Sequence, residues 1–134
     1  MISNKQARLR RIFAILAVAT LFMAAMTVPA QRGTTRRVRF ARGRTTAILK
    51  NSVVRGTRDR YILGARAGQT MIVHITSVEN NASFGIYKSG RSNALDGAED
   101  VTDWEVALPS SGDWIIEVGP TRGNATYTLE VTIR

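Results

Sequence analysis

The chain has 134 residues, with 19 Lys and Arg against 10 Asp and Glu, a single His and no Cys. Without cysteine there is neither a disulfide nor a thiolate metal site, and one histidine excludes the multi-histidine zinc centres. The formal net charge of +9 invites a nucleic-acid reading, but its distribution and the absence of a nucleic-acid motif argue against one.

Residues 1–30 read as a secretory signal. Lys5, Arg8, Arg10 and Arg11 form a basic head, Ile12 to Met26 is apolar except for Thr20, and Val28-Pro29-Ala30 presents small residues before Gln31. That combination predicts cleavage after Ala30 and export to the periplasm or beyond. A spanning helix needs about 20 residues, so no transmembrane span is expected after processing. Next comes a basic arm at 31–37, with Arg32, Arg36 and Arg37, continuing through Arg39, Arg42 and Arg44 without an acid. From Thr45 onward nine basic residues meet ten acidic ones, 9 − 10 = −1. The positive excess therefore sits in a short N-terminal stretch. It suits an anionic envelope polymer, or it is simply a solvated leader.

The remaining 38–134 is long enough for one domain. Val38 to Phe40 could form an edge strand, and Ala47–Lys50 with Val53–Val54 one or two short strands. Arg60–Ala65 precedes the turn Arg66–Gln69 and a strand in which Met71, Val73 and Ile75 alternate with Ile72, His74 and Thr76. Phe84 and Ile86 mark the next strand. Lys88 to Thr102 is one long irregular piece. Trp104, Val106 and Leu108 alternate up to the turn Pro109–Asp113, and Trp114, Ile116 and Val118 follow. Gly119–Asn124 has the Pro and Gly-Asn chemistry of a hairpin loop. The last segment, from Ala125, sends Tyr127, Leu129, Val131 and Ile133 to one face. Period-two alternation rich in β-branched residues predicts half-buried strands. The expected fold is all-β: a single antiparallel β-sandwich or jelly-roll-like domain.

Catalytic chemistry is poorly supplied. His74 lies opposite an apolar face, and no nucleophile-elbow motif accompanies the serines. The expectation is a non-enzymatic binding protein with no cofactor and no nucleic-acid partner. The stretch Asp96–Glu105 carries five carboxylates. Asp96, Glu99, Asp100 and Asp103 are weak candidates for calcium, as a calcium- or glycan-binding accessory domain would need, against the plainer reading of a solvated loop. Thr121-Arg122 occupies the last loop. Arginine offers a rigid fork that binds a carboxylate through two parallel hydrogen bonds.

Val54-Arg-Gly56, Tyr61, Ala65-Arg-Ala-Gly-Gln69, Leu108-Pro-Ser-Ser-Gly-Asp-Trp114 and the closing Tyr-Thr-Leu-Glu-Val-Thr-Ile run resemble bacterial pre-peptidase C-terminal-type domains. Among functionally defined families, the chain is similar to the periplasmic inhibitors of g-type lysozyme. The resemblance spans about Val38 to Ile133. It implies a β-sandwich whose loops enter a lysozyme's cleft, and a protein partner. Thr121-Arg122 matches the inhibitors' Thr-Arg at the start of their last loop, which is longer there and carries a second arginine; here Gly123-Asn124-Ala125 cuts it short. The loop from Arg55 to Tyr61 matches their tyrosine-containing loop loosely, which implies partner-binding roles for Arg58, Asp59 and Tyr61. A surface-associated structural module using the arginine arm is the alternative from a different class.

Overall fold

The computed structural model describes residues 32–134, so the signal peptide and its cleavage lie outside the described residues. Eight strands follow in chain order: β1 (Thr35–Arg37), β2 (Thr46–Val53), β3 (Asp59–Ala65), β4 (Thr70–Ser77), β5 (Ala82–Lys88), β6 (Asp103–Ala107), β7 (Gly112–Pro120) and β8 (Ala125–Ile133). No described residue is helical, and no helix among them is long and apolar enough to cross a membrane.

The strands form two four-stranded sheets, ordered β1-β3-β7-β5 and β2-β8-β4-β6. Odd-numbered strands make one sheet and even-numbered strands the other, so every connection passes from one layer to the other. The all-β sandwich expectation holds. The hairpin expected at 119–124 does not. β7 pairs with β3 and β5, while β8 pairs with β2 and β4, so the loop is an arch between layers. Its turn chemistry reverses the chain without choosing the pairing partner. The N-terminal edge strand lies at Thr35–Arg37 rather than Val38–Phe40, and it pairs parallel with β3. Val38 instead buries its side chain in the core and Phe40 packs against it.

The alternation read from the sequence is the alternation of the core. Tyr127, Leu129, Val131 and Ile133 on β8 face Tyr61, Leu63 and Ala65 of β3 and Trp114, Ile116 and Val118 of β7, all buried. Each fully buried large apolar side chain contributes roughly 1.5–3 kcal/mol. Trp114 is among the largest of them, and its indole Nε1 donates to Ser110 O at 3.2 Å. Trp104 is half-buried and packs on the core. All eight strands and this core lie within residues 31–134, which cluster as one compact unit.

Candidate functional site

Three interlayer arches gather at one end of the sandwich: 54–58 between β2 and β3, 78–81 between β4 and β5, and 121–124 between β7 and β8. Their assembly follows from a few side chains. Asn81 is buried, and its amide Nδ2 donates to Arg122 O at 3.0 Å and Asn124 O at 2.9 Å. Its own carbonyl accepts from Thr121 N, and its N–H donates to Ser77 Oγ. One asparagine thus clamps the 121–124 arch to the 78–81 arch at three points. Asn124 extends the brace, because its Oδ1 accepts from Arg55 N at 2.9 Å. The 54–58 arch closes on itself, with Thr57 N–H and Oγ1 both donating to Val54 O.

Arg122 is exposed at the tip of this assembly. Its Nη2 donates to Glu79 O, which aims the guanidinium while leaving its other N–H donors free. Arg58, also exposed, lies flat across Gly119, where a Cβ would collide with the guanidinium. Its backbone packs equally closely on Gly33 of the N-terminal segment. Two exposed apolar side chains flank the arginines, Val54 at 40% and Val78 at 82% exposure. Arg32 lies beside Val54 and Thr57. An open groove of about 390 Å³ leads from Arg58 and Thr121 to Tyr87, Glu99 and Glu117 on the outer face of the β1-β3-β7-β5 sheet. Burial, with Glu117 and Glu99 nearby, pushes the Tyr87 hydroxyl up from its ordinary pKa.

The sequence-predicted residues divide. Thr121, Arg122 and Arg58 come together at the exposed end. Asp59 and Tyr61 do not reach a partner, being 2% and 1% exposed. Strand β3 begins at Asp59, so what reads as one loop through Tyr61 is half strand, and both side chains turn inward. Asp59 accepts from Thr34 N at 2.8 Å, Asn51 Nδ2 at 3.1 Å and Tyr127 Oη at 2.7 Å. Tyr127 and Tyr61 share a hydroxyl–hydroxyl bond of 2.5 Å with their rings edge to face. Burial above all, then these hydrogen bonds and Asp59, drives the Tyr127 pKa far above 10.0; burial likewise raises Tyr61. The two residues lie buried beneath the arches rather than on their exposed surface.

The arm residues also differ from one another. Arg37 is committed to Asp113 through two bonds of 3.0 and 2.8 Å, which raise its pKa and lower that of Asp113. Arg36 is exposed with no carboxylate partner among the described residues. The calcium candidates do not converge. Asp100 accepts from Ser83 Oγ and Asp103 pairs with His74, which lowers the Asp103 pKa. Among the described residues no three His, Cys, Asp or Glu side chains gather to hold a metal. Sequence reasoning missed Val78, Glu79 and Asn81. The Asn80-Asn81 pair in a turn was the available signal for the clamp, while a singly exposed valine carries none.

No protein-family model and no curated protein matches the chain. Solved structures do. The periplasmic inhibitor of g-type lysozyme from Aeromonas hydrophila superposes with a TM-score of 0.67 and 32% identity, over 78% of this chain and 100% of that one. The Salmonella Typhimurium inhibitor gives 0.62 with 24% identity, over 76% and 99%. The pre-peptidase C-terminal domain of a Bacillus anthracis collagenase shares the fold, at 0.52 with 12% identity over 78% and 99%. With about a third of aligned positions identical along the whole Aeromonas protein, this chain belongs to the family of periplasmic inhibitors of g-type lysozyme.

Proposed function

We propose that this protein inhibits a g-type lysozyme in the periplasm, by inserting the arched end into the enzyme's cleft. The carrying observation is the pre-set Arg122, held by Glu79 O and by the Asn81 clamp on its own carbonyl. Lysozyme-type clefts work with carboxylates. A guanidinium delivered there pairs with one through charge-assisted bonds and occupies the space a glycan strand needs. Because the arch is fixed before binding, little ordering entropy is lost on association. Arg58 supplies a second fork at the same end, and Val54 and Val78 supply the apolar contact that excludes water around the anchors. The relatives are inhibitors, which supports a non-enzymatic role.

The test is an inhibition panel of g-type, c-type and i-type lysozymes with residues 31–134. Inhibition is expected for the g-type enzyme, and Arg122→Ala should weaken it about tenfold, or about 1.4 kcal/mol. An unchanged inhibition constant for that variant removes Arg122 from the interface. Failure on all three lysozymes removes the function.

A further inference from the structure

The lateral sides of the sandwich carry opposite charge. One sheet ends at β1 and β5 and the other at β2 and β6. Val101 bridges to Phe84 on β5, while Ile75 N on β4 donates to Thr102 O, immediately before β6. The β5 and β6 edges therefore share one side, leaving β1 and β2 on the other. The chain crosses the β5–β6 side in the segment bearing Asp96, Glu99 and Asp100 against one basic residue, Arg91, so that crossing is net acidic. It crosses the β1–β2 side at 38–45, which bears Arg39, Arg42 and Arg44 beside Arg36 of β1. A turn closed by Arg44 N donating to Ala41 O, with Gly43 at φ 74°, projects the last two arginines outward.

These four arginines are exposed, and none has a carboxylate partner among the described residues; the ion pairs engage Arg37, Arg60, His74 and Arg134 instead. No acidic residue occurs from 31 to 58, so nothing in that stretch neutralises them. On β2, the edge strand of the same side, Ile48 is 62% exposed and Lys50 is exposed beside it, both on the outer face of the sheet, where Glu130 of β8 stands opposite Ile48. A soluble polyanion would reward the arginines alone. A bilayer rewards both features, since phosphate headgroups attract clustered arginine and the interfacial layer accepts an apolar side chain.

We propose that the β1–β2 side docks on a bilayer bearing anionic phospholipid headgroups, with Arg36, Arg39, Arg42 and Arg44 on the phosphates and Ile48 in the interfacial layer. The acidic side then faces away from the surface. This surface is separate from Arg122 and stands whether or not the protein inhibits a lysozyme.

Cosedimentation of residues 31–134 with vesicles of roughly 3:1 phosphatidylcholine to phosphatidylglycerol tests it. Binding is expected to weaken at least about tenfold between about 50 and 200 mM salt. R36E/R39E/R42E/R44E should abolish it, the four-lysine counterpart should keep it, and Ile48→Ser should weaken it about threefold at constant charge. If the four-glutamate variant does not give the wild-type circular dichroism spectrum, R42E/R44E at the exposed turn takes its place and should weaken binding at least about tenfold. Equal binding to pure phosphatidylcholine, or wild-type binding by the charge-reversed variant, overturns the proposal. So does binding to soluble dextran sulfate that matches the vesicles and ignores Ile48→Ser, which would assign the side to a polyanionic glycan.

Discussion

The interior of the sandwich is built in two ways. Toward the arched end it contains polar groups: Asp59, Tyr61, Tyr127 and Asn51 are hydrogen-bonded to one another, and Asn81 is bonded separately to the 121–124 arch. Toward the other end it is apolar, with Leu63, Met71, Leu108 and Trp114 packed at 2% exposure or less. Apolar contacts are non-directional and reward burial of any fitting shape. Hydrogen bonds are directional, and a satisfied buried network fixes its members' positions while exacting a large cost when broken. The half of the molecule that only has to hold together uses the first kind. The half that carries the three arches adds the second.

Removing Asp59 should break that division most severely. Asp59→Ala leaves Thr34 N, Asn51 Nδ2 and the Tyr127 hydroxyl each short of an acceptor. At about 1–3 kcal/mol per buried unsatisfied group, with partial relief by water, a loss of about 3 kcal/mol is expected in urea unfolding. Leu129→Ala at the apolar layer falls in the same range, about 2–5 kcal/mol. The two variants should part in function. Under conditions where both remain folded, Leu129→Ala keeps lysozyme inhibition and Asp59→Ala loses it. Equal inhibition by both would show that the polar layer does not position the arches.

Tyr127→Phe is the next step down, at about 1–2 kcal/mol, because it removes one hydroxyl and leaves Asp59 with two donors. It also has a signature in pH. Tyr61 and Tyr127 have folded pKa values raised above the unfolded 10.0. The stability they contribute is therefore complete below pH 10 and is lost as the pH rises through their folded values, because the unfolded chain releases the protons first. Wild-type stability should begin to fall near pH 10, and the fall should be shallower in Tyr127→Phe. Parallel curves would mean that these hydroxyls ionise as readily in the folded protein.

The apolar half was legible in the sequence and the polar half was not. Leu129, Val131 and Ile133 announce their shared face by alternation, and so do Met71, Val73 and Ile75; period two also turns Tyr127 inward but says nothing of the partners of its hydroxyl. Asp59 sits in Arg58-Asp59-Arg60, which looks like a solvated charge run, and only the distant Tyr127, Asn51 and Thr34 make it an interior acceptor. The arch at 119–124 was misread for the same reason. Turn residues report a local reversal, whereas the partner of each strand is fixed by contacts far along the chain. Arg122 was legible as a forked cation in the last loop, and the resemblance to a family loop added to that; the Asn81 that sets it forty-one positions away left no local trace beyond a turn-like Asn-Asn pair.

Asn81 supplies the mildest change in stability and the sharpest separation of positioning from packing. Its Nδ2 serves two carbonyls on exposed residues, Arg122 and Asn124, which water can solvate once the amide is gone. Its Oδ1 has no hydrogen-bond partner, so truncation also relieves one buried unsatisfied atom. Asn81→Ala should therefore cost only about 1 kcal/mol in unfolding. The 121–124 arch would nevertheless lose its side-chain clamp, and Arg122 must then be ordered at the moment of binding. That ordering costs about 0.5–1.5 kcal/mol per side chain, so inhibition should weaken several-fold, approaching the Arg122→Ala value, while the melting temperature moves by only a few degrees. In the double variant Asn81→Ala/Arg122→Ala the two losses should not add, since both act through one guanidinium. Additive losses would mean that Asn81 supports the interface through some other group of the arched end.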